Sequence, residues 1–344
     1  MIESLRAVVL VGGEGTRLRP LTRTRPKPML PVNGVSILEH KLVHLASHGV
    51  TDVVLSLGYK PDAFRSAFPS DIVAGIRLHY AVEPTPLDTA GAVLFAAEAA
   101  GFSDSADGPL VVVNGDVMTD LDLTAQLAFH RSVGAEATLA LTRVDDPSAF
   151  GVVPTDADGR VVDFVEKPDR DAAPTDWINA GAYVIEPSVL RRIPADRKVS
   201  IERVVFPAIV ADRALFAVHS PSYWIDAGTP ATYLQANIDE LRRSATVSSG
   251  AVSSGALSSG AVVDMSAVVL DAVIGAGARI GAGARVERSV LLPAAVVDDG
   301  AVVVDSIVGE GARVSRGARV VGLSVVGDFA VVGEGVELVG ARFG

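Results

Sequence analysis

Aliphatic residues recur at a spacing of six through the last quarter of the chain, a period that fits neither an α-helix nor a simple strand. A triangular β-solenoid gives one hexad to each side of a coil and turns its aliphatic residue inward. Two phases are offset by a four-residue step at Pro293: Val262, Val268, Ile274, Ile280, Val286 and Leu292, then Val296, Val302, Val308, Val314, Val320, Val326, Val332 and Leu338. The pattern predicts a parallel β-helix over 262–344, because the alternative, a low-complexity linker, buries nothing.

The first 243 residues alternate short β-branched runs with amphipathic stretches. Strands are predicted at 7–11, 52–57, 77–82, 110–114, 137–141, 160–165 and 182–185, and helices at 36–48, 89–100, 122–132, 200–211 and 230–242. This alternation predicts an α/β domain over 1–243, with a Rossmann-like mixed, mainly parallel sheet flanked by helices. Ligands of such sheets lie beyond the carboxyl ends of the strands, which here points just after Val11 and just after Asn114.

The segment 244–261 separates the two predicted domains. Its repeats SSGAV, SSGAL and SSGAV have a period of five instead of six. The segment is therefore interpreted either as a flexible connector or as an irregular first coil of the β-helix.

Composition excludes several classes of protein. A formal net charge of -11 disfavours general binding to nucleic acid or to an anionic membrane, although residues 17–27 are locally basic. The chain has no cysteine, which excludes disulfides and thiolate metal sites. It shows neither a secretory leader pattern nor an apolar run of membrane-spanning length. We therefore expect a cytoplasmic protein without a nucleic-acid or membrane partner.

A glycine-rich turn, GGEGTR (12–17), follows the first predicted strand. Glycines let the backbone approach a phosphate and aim N–H groups at it. A P-loop would need Gly-Lys-Ser/Thr here, and the dinucleotide fingerprint would need glycine where Leu18 stands. Arg17 and Lys27 follow on a proline-stiffened segment, an arrangement that suits a triphosphate and its leaving pyrophosphate. The alternative, a solvated basic loop, is disfavoured by the glycine turn behind the strand.

Two carboxylates stand where a metal ligand is expected. Asp116 belongs to Asn114-Gly115-Asp116, which ends the apolar run LVVV, and Asp226 lies in YWIDAG. Together with phosphate oxygens, such acids form a hard-oxygen site suited to Mg²⁺. The alternatives are an Asp that closes a β-turn for Asp116, and a helix N-cap or turn for Asp226.

Other polar residues have weaker signals. Glu166 and Lys167 end a strand, where they either form a surface ion pair or contact sugar hydroxyls and a sugar phosphate. Asn179 offers an amide donor and acceptor suited to hydroxyls. The histidines at 40, 44 and 48 share one helix face, which we interpret as a solvated or partly buried face and not as a metal site.

An ordered set of motifs across the chain resembles the NDP-sugar pyrophosphorylases, and most closely the mannose-1-phosphate guanylyltransferases within them. The motifs are LVGGEGTRLRPLT (10–22), PKPMLPV (26–32), EPTPLDTAG (83–91), VVNGDV (112–117), FGVVPTD (150–156), FVEKP (164–168), INAGAYV (178–184), SIERVVFP (200–207) and YWIDAGTP (223–230). The terminal hexads resemble the left-handed β-helix of that family.

The resemblance implies a role for each matching position. Nucleotide binding is implied for Leu10, Gly12, Gly13, Gly15, Thr16, Arg17, Lys27, Glu83, Thr89 and Ala90. Sugar-phosphate binding is implied for Gly151, Glu166, Lys167 and Asn179, and Mg²⁺ binding for Asp116 and Asp226. Arg17, Lys27, Asp116 and Lys167 would carry catalysis. The implied reaction transfers a nucleotidyl group from an NTP, with GTP favoured, to a sugar-1-phosphate, with mannose-1-phosphate favoured.

Several questions stay open at this stage. Asp88 stands where many family members have glycine, and it either meets a guanine edge or only shapes the turn. Other bases (dTTP, UTP or ATP) and other sugar- or cyclitol-1-phosphates are alternatives, as is a non-catalytic sugar-nucleotide-binding regulator. An acyltransferase activity of the β-helix is disfavoured, because no histidine lies beyond His219. The open coil ends and flat aliphatic faces of the β-helix need covering, which favours a homo-oligomer, a dimer or a tetramer; docking of the β-helix on the catalytic domain is the alternative.

Overall fold

A computed structural model describes residues 5–103, 108–195, 197–247 and 255–344. The chain packs as two compact units. The first comprises residues 5–13 and Leu38–Trp224, and the second comprises Glu14–Ile37 and the described part of Ile225–Gly344. This division differs from one drawn by position along the chain, since an N-terminal segment belongs with the C-terminal repeats.

The strands of the first two-thirds of the chain are β1 (Leu5–Leu10), β2 (Pro31–Val32), β3 (Val35–Ser36), β4 (Val50–Leu57), β5 (Ile72–Val73), β6 (Ile76–Val82), β7 (Leu110–Asn114), β8 (Val117–Thr119), β9 (Ala137–Arg143), β10 (Gly151–Val152), β11 (Val165–Glu166), β12 (Trp177–Ile185), β13 (Leu215–His219) and β14 (Trp224–Asp226). The helices are α1 (Ile37–Ser47), α2 (Pro61–Ala67), α3 (Asp88–Ala99), α4 (Leu123–Val133), α5 (Pro187–Leu190), α6 (Phe206–Ala211) and α7 (Pro230–Val247). A π-helical turn, Ile201–Val205, leads into α6.

The first unit is built on a mixed sheet with a parallel centre. Strands β7, β1, β4 and β6 lie side by side and parallel, and β12 joins β7 in the antiparallel sense. The central strands are apolar on both faces, with Val8, Val54 and Val112 fully buried. Helix α3 packs against β1, β4 and β6, and α4 packs against β9, β12 and β13. The predicted α/β class is confirmed.

The strand predicted at 160–165 is wrong for most of its length. Only Val165 and Glu166 are in a regular strand, while Arg160 and Val161 form isolated bridges. The carboxylate of Asp156 accepts hydrogen bonds from the amides of Asp158 and Arg160, and this local turn competes with strand pairing. Strand β13 and helix α2 were not predicted.

The C-terminal repeats of the second unit form three parallel sheets. Their strands are β15 (Gly255–Leu257), β16 (Val262–Val263), β17 (Val268–Leu270), β18 (Ala272–Ile274), β19 (Arg279–Ile280), β20 (Arg285–Glu287), β21 (Val290–Leu291), β22 (Val296–Val297), β23 (Val302–Val304), β24 (Ile307–Val308), β25 (Arg313–Val314), β26 (Arg319–Val321), β27 (Val325–Val326), β28 (Val331–Val332), β29 (Glu337–Val339) and β30 (Arg342–Phe343). Each strand pairs with the one three places later, as in a parallel β-helix. The predicted β-helix is confirmed, and its handedness stays a prediction.

The strict six-residue period is wrong at one side in three of the early coils. Val262 pairs with Arg279, so one coil takes 17 residues instead of 18. The short sides turn at Asp271, Arg288 and Asp305, non-glycine residues with φ of +48°, +39° and +48°. Each side of five residues therefore shifts by one position the residues that point into the core.

This shift corrects part of the predicted β-helix core. Val262 and Val268 are 59% and 52% exposed, and Val296 and Val302 are half-buried. Their neighbours Val263, Val269, Val297 and Val303 pack on the core instead, and Leu291 takes the place predicted for Leu292. The predicted inward residues Ile274, Ile280, Val286, Val308, Val314, Val320, Val326, Val332 and Leu338 all belong to the core cluster or pack against it.

The predicted linker, 244–261, overlaps elements at both of its ends. Helix α7 continues to Val247, and β15 pairs in register with β18. Residues 255–261 therefore belong to the first coil, and 248–254 lie outside the described residues. Within the described parts of the chain, no helix combines the length and apolar character needed to cross a membrane.

Candidate active site

The ends of β1 and β7 meet closely in the first unit. The amide of Gly115 donates to the carbonyl of Leu10 at 2.9 Å. A Cβ on Gly115 would lie 2.3 Å from Cγ1 of Val11, so only glycine fits at this approach. This contact places Asn114-Gly115-Asp116 beside the strand end from which Gly12 and Gly13 continue. A Cβ on Gly13 would meet open space, which leaves room for a ligand next to the backbone.

The carboxylate of Glu83 lies next to Gly12. Its Oε1 accepts from the Ser56 hydroxyl at 3.0 Å, and its Oε2 accepts from the Leu87 amide at 3.0 Å. A Cβ on Gly12 would lie 3.5 Å from the same carboxylate. The structure therefore brings Gly12 and Glu83 together and holds the carboxylate in one orientation.

Thr89 and Ala90 are engaged within the fold at the start of α3. The Thr89 hydroxyl donates to Oε2 of Glu202 at 2.7 Å and accepts from the Ile201 amide at 2.8 Å. The Ala90 amide donates to the carbonyl of Val199 at 2.8 Å, and the Ala90 side chain is fully buried. These two residues fix α3 against the π-helical turn. The sequence alone does not single out Glu202, which accepts the hydrogen bond of the Thr89 hydroxyl.

Asp88 adopts the left-handed conformation, with φ of +62°. Its Oδ1 accepts from the Thr89 amide at 2.8 Å. Aspartate is among the residues that tolerate this conformation, which glycine adopts most readily. The geometry supports the turn-shaping interpretation of Asp88.

Asp116 lies close to a buried lysine that sequence reasoning missed. Lys41 of α1 is 4% exposed, and burial lowers its pKa to about 8 against the opposing attraction of Asp116. One signal could have found it, since Lys41 falls on the apolar stripe of α1 between Leu38 and Leu45. A charged residue within such a stripe needs a counter-charge.

Two residues of the predicted histidine face follow Lys41, with His44 inside α1 and His48 just after its last residue. Burial, reinforced by the charge of Lys41, lowers the pKa of His44 to about 4. Nδ1 of His48 lies 2.9 Å from the Thr124 hydroxyl, and the rings of His44 and His48 meet edge to face. Among the residues described, no three potential ligands of the His, Asp or Glu type are grouped to hold a metal ion.

Gly151 and Glu166 pair directly across β10 and β11. A Cβ on Gly151 would lie 2.6 Å from the Phe164 ring, so the strand needs glycine there. Nζ of Lys167 lies 3.3 Å from Oε1 of Glu166, and the lysine side chain is 58% exposed. The structure therefore brings three predicted sugar-phosphate residues together: Gly151, Glu166 and Lys167. The ammonium group of Lys167 is accessible to solvent.

A bulge in β12 presents Asn179. The register against β9 shifts between Asn179 and Tyr183, and bulges commonly occur beside functional sites. Nδ2 of the Asn179 side chain donates to the Tyr183 hydroxyl at 2.9 Å, and Oδ1 accepts from the Gly181 backbone amide at 3.0 Å. Burial raises the pKa of Tyr183, which keeps the phenol neutral. The Trp224 indole donates to the Ala180 carbonyl at 2.9 Å and so braces the bulge.

The basic loop belongs to the second unit, together with Asp226. Nζ of Lys27 lies 2.7 Å from Oδ1 of Asp226, and Nη2 of Arg17 lies 3.9 Å from Oδ2. The Lys27 side chain is 6% exposed and that of Arg17 is 66% exposed, so one cation is fixed and the other is free to move. Thr16, next to Arg17, is exposed.

The turn that carries these cations is tightly made. Gly15 has φ of +62°, and a Cβ there would lie 2.9 Å from Cβ of Lys27. The Thr22 hydroxyl donates to the Gly15 carbonyl at 2.9 Å and closes the turn. At the start of α7 the capping contacts are made by Thr229 and Thr232, which disfavours the N-cap alternative for Asp226.

Comparisons with known proteins place the chain in a family. Residues 6–243 match the family model described as Nucleotidyl transferase, and residues 252–343 match the one described as GMPPB C-terminal domain. The chain is 43% identical over 292 residues to a mannose-1-phosphate guanylyltransferase of Mycobacterium tuberculosis, covering 83% of this chain and 79% of that protein. It is 40% identical over 256 residues to the probable mannose-1-phosphate guanylyltransferase 1 of Oryza sativa subsp. japonica, covering 72% and 69%.

A solved structure also matches. HddC from Yersinia pseudotuberculosis, complexed with GMP-PN, superposes with a TM-score of 0.57 at 28% identity, covering 69% of this chain and 99% of that chain. The match to the family model spans more than half of the chain, and the relatives match over most of their own length. This chain belongs to the nucleotidyl transferase family of sugar-1-phosphate nucleotidyltransferases.

Proposed function

We propose that the protein transfers a guanylyl group from GTP to mannose-1-phosphate, giving GDP-mannose and pyrophosphate. The observation that carries the proposal is the convergence of Lys27 and Arg17 on Asp226, since transfer from an NTP requires cations near the phosphates. The names of the relatives support mannose-1-phosphate and a guanine nucleotide, and the GMP-PN complex of HddC also supports the base.

The proposed reaction is an in-line displacement. A phosphate oxygen of the sugar-1-phosphate attacks the α-phosphorus of GTP, a new P–O bond forms, and the bond to the β-phosphate oxygen breaks. The nucleophile is already an anion, so neither a general base nor a covalent enzyme intermediate is needed. The protein aligns two anions that repel each other and neutralises charge in the transition state.

The proposed binding residues come from both units of the chain. In the first, Leu10, Gly12, Gly13, Glu83 and the Thr89-Ala90 turn would bind the nucleotide, and Gly151, Glu166, Lys167 and Asn179 would bind the sugar phosphate. In the second, Gly15, Thr16, Arg17 and Lys27 would bind the triphosphate. Lys167 is suited to its role because its ammonium is exposed beside a carboxylate that is suited to hydroxyls.

We propose Mg²⁺ as the cofactor, with Asp116 in the first unit and Asp226 in the second as candidate ligands. Their donor chemistry fits, since carboxylate oxygens are the ligands that Mg²⁺ prefers. When bound, the ion would neutralise phosphate charge. Lys27 already partners Asp226, so this lysine would share the carboxylate or move to a phosphate.

Assembly and location are further parts of the proposal. The exposed aliphatic residues of the early coils, Val262, Val268 and Leu270 among them, favour a homo-oligomer, either a dimer or a tetramer. A monomer in light scattering at micromolar concentration would count against it. We expect a cytoplasmic enzyme, which fractionation of cells would test.

Pyrophosphate release from GTP, with and without mannose-1-phosphate, tests the reaction. The proposal predicts release only when both substrates and Mg²⁺ are present. A sugar-nucleotide-binding regulator would bind GDP-mannose and release no pyrophosphate. A transferase for another sugar- or cyclitol-1-phosphate would stay silent with mannose-1-phosphate and respond to a different acceptor.

A further inference from the structure

We propose that Asp328 and Arg25 are positioning residues for catalysis, through which a late coil of the β-helix holds the loop that carries Arg17 and Lys27. The inference rests on the proposed function, because it needs that loop to bind the phosphates of the nucleotide. All of the contacts involved lie within the second unit.

Asp328 joins the β-helix to the loop. Its side chain is 1% exposed, and its Oδ1 accepts from the Glu310 amide of the preceding coil at 2.8 Å. Its Oδ2 accepts from the Thr24 hydroxyl and from Nη2 of Arg25, the latter at 3.3 Å. A buried carboxylate is stable only when its oxygens are paired, and this one divides its partners between the coil and the loop.

Arg25 completes the connection from the loop side. Its guanidinium also pairs with the carboxylate of Glu310, and the arginine side chain is 22% exposed. One cation therefore faces two acids from adjacent coils, in a partly desolvated place where ion pairs are screened less than at the surface. The β-helix supplies both acids.

The segment from Arg25 to Lys27 is short and stiff. Pro26 separates the two residues and Pro28 follows, so both prolines fix φ along the stretch. A tight turn continues from Lys27, whose carbonyl accepts from the Leu30 amide at 3.0 Å. A displacement of Arg25 would therefore move Lys27, and with it the ion pair to Asp226.

A second contact holds the loop to the same coil. A Cβ on Gly327 would lie 3.0 Å from Cβ of Pro20, so the coil approaches the loop closely just before Asp328. The loop thus contacts the β-helix on both sides of the turn that contains Thr22.

Asp299 provides a matched control within the β-helix. Its Oδ1 accepts from the Ala282 amide of the preceding coil at 3.0 Å, as Oδ1 of Asp328 does from Glu310. Its Oδ2 pairs with Nη2 of Arg316 at 3.0 Å, but Arg316 belongs to the β-helix and not to the loop. The Asp299 side chain is 52% exposed, so Asp299→Asn alters the same type of coil hydrogen bond in a more exposed setting, without touching the catalytic segment.

The test compares the full-length wild type with Asp328→Asn, Thr24→Val and Asp299→Asn in two measurements. Calorimetry gives the Kd for inorganic pyrophosphate with Mg²⁺, and steady-state kinetics gives separate KM values for GTP and mannose-1-phosphate. We expect Asp328→Asn to weaken pyrophosphate binding and raise the KM for GTP by about tenfold, and Thr24→Val by about threefold. The KM for mannose-1-phosphate should stay within about twofold, and Asp299→Asn should match wild type.

The outcomes separate the inference from the proposed function. A wild type that binds pyrophosphate but does not turn over GTP with mannose-1-phosphate contradicts the proposed substrates, while weaker pyrophosphate binding by Asp328→Asn still supports positioning. Equal values for Asp328→Asn and Asp299→Asn, or equal rises in both KM values, would overturn the inference. If Asp328→Asn fails to fold, Thr24→Val decides alone, because it removes only the hydroxyl of an exposed residue, which contacts Asp328 and the Leu21 carbonyl, and leaves every charge in place.

Discussion

Nζ of Lys27 lies 2.7 Å from Oδ1 of Asp226, so two residues 199 positions apart in the sequence form an ion pair at the base of the basic loop. The sequence predicts Lys27 as a phosphate ligand and Asp226 as a metal ligand. Their contact shows that a nearly buried ammonium is held in place before any substrate arrives. Preorganised charge of this kind is effective in catalysis because it costs no reorganisation during the reaction.

Replacing Lys27 by Met should lower kcat/KM for GTP roughly 30- to 150-fold, which corresponds to a loss of about 2–3 kcal/mol of transition-state stabilisation. The reason is the loss of a fixed cation near the leaving pyrophosphate. Arg19→Met is the matched control, because Arg19 lies on the same loop and pairs with the exposed Glu14 at the surface. Steady-state kinetics of both variants checks the prediction, and equal losses in both would point to a general charge effect.

Replacing Lys167 by Ala should cost at least about 2–3 kcal/mol in kcat/KM for the sugar phosphate, since the attacking anion would lose its counter-charge. Arg170→Ala is the control, because this arginine lies three residues further on and faces the exposed Asp146.

Asp116→Ala should cause a loss of similar size if the carboxylate helps to hold Mg²⁺. Near-normal turnover by either active-site variant would contradict its assigned role.

Gly181→Ala should destabilise the protein by at least about 2 kcal/mol. Gly181 has φ of +72°, and a Cβ there would lie 2.5 Å from Nδ2 of Asn114. Gly134→Ala isolates the backbone contribution, because Gly134 has φ of +62° with nothing near its Cβ, and this change should cost about 1 kcal/mol. Urea unfolding of both variants gives the comparison. A smaller loss in Gly181→Ala than in Gly134→Ala would show that the bulge is not tightly packed.

His44 should make the protein less stable in acid. Its pKa is lowered to about 4 in the folded state, from an ordinary value near 6.5, so between these values only the unfolded chain takes up the proton. The free energy of unfolding of the wild type, relative to His44→Gln, should therefore fall as the pH drops from 6.5 to 4. Above pH 7 the difference should not depend on pH. Urea titrations across this range measure it, and a constant difference would rule out a partly buried imidazole that stays neutral.

The repeat pattern predicted the β-helix but not the full phase of its core. Ile274 and Ile280 point inward as expected, whereas Val268 is exposed and Val269 packs inward. The cause is the five-residue side that turns at Asp271, where an aspartate adopts a conformation usually left to glycine. Composition alone does not mark such a corner, because Asp is common in both turns and surfaces.

Candidate site residues can be selected from sequence where a chemically suited side chain stands next to a strand end, and their roles stay predictions. Asp116 and Glu166 follow this rule, and both lie where parallel or paired strands finish. Lys41 and Arg25 were missed because their importance depends on burial and on partners far along the chain. The association of residues 14–37 with the β-helix is likewise a long-range packing effect that no local pattern encodes.

The most direct test of the central claim is a matrix of kcat/KM values for GTP, dTTP, UTP and ATP against mannose-1-phosphate, glucose-1-phosphate, a heptose phosphate and a cyclitol phosphate, with the products identified. We predict the highest value for GTP with mannose-1-phosphate, with GDP-mannose and pyrophosphate formed in equal amounts. Turnover confined to a different pair would contradict the proposed substrates, and the absence of any NDP-sugar across the matrix would contradict nucleotidyl transfer itself.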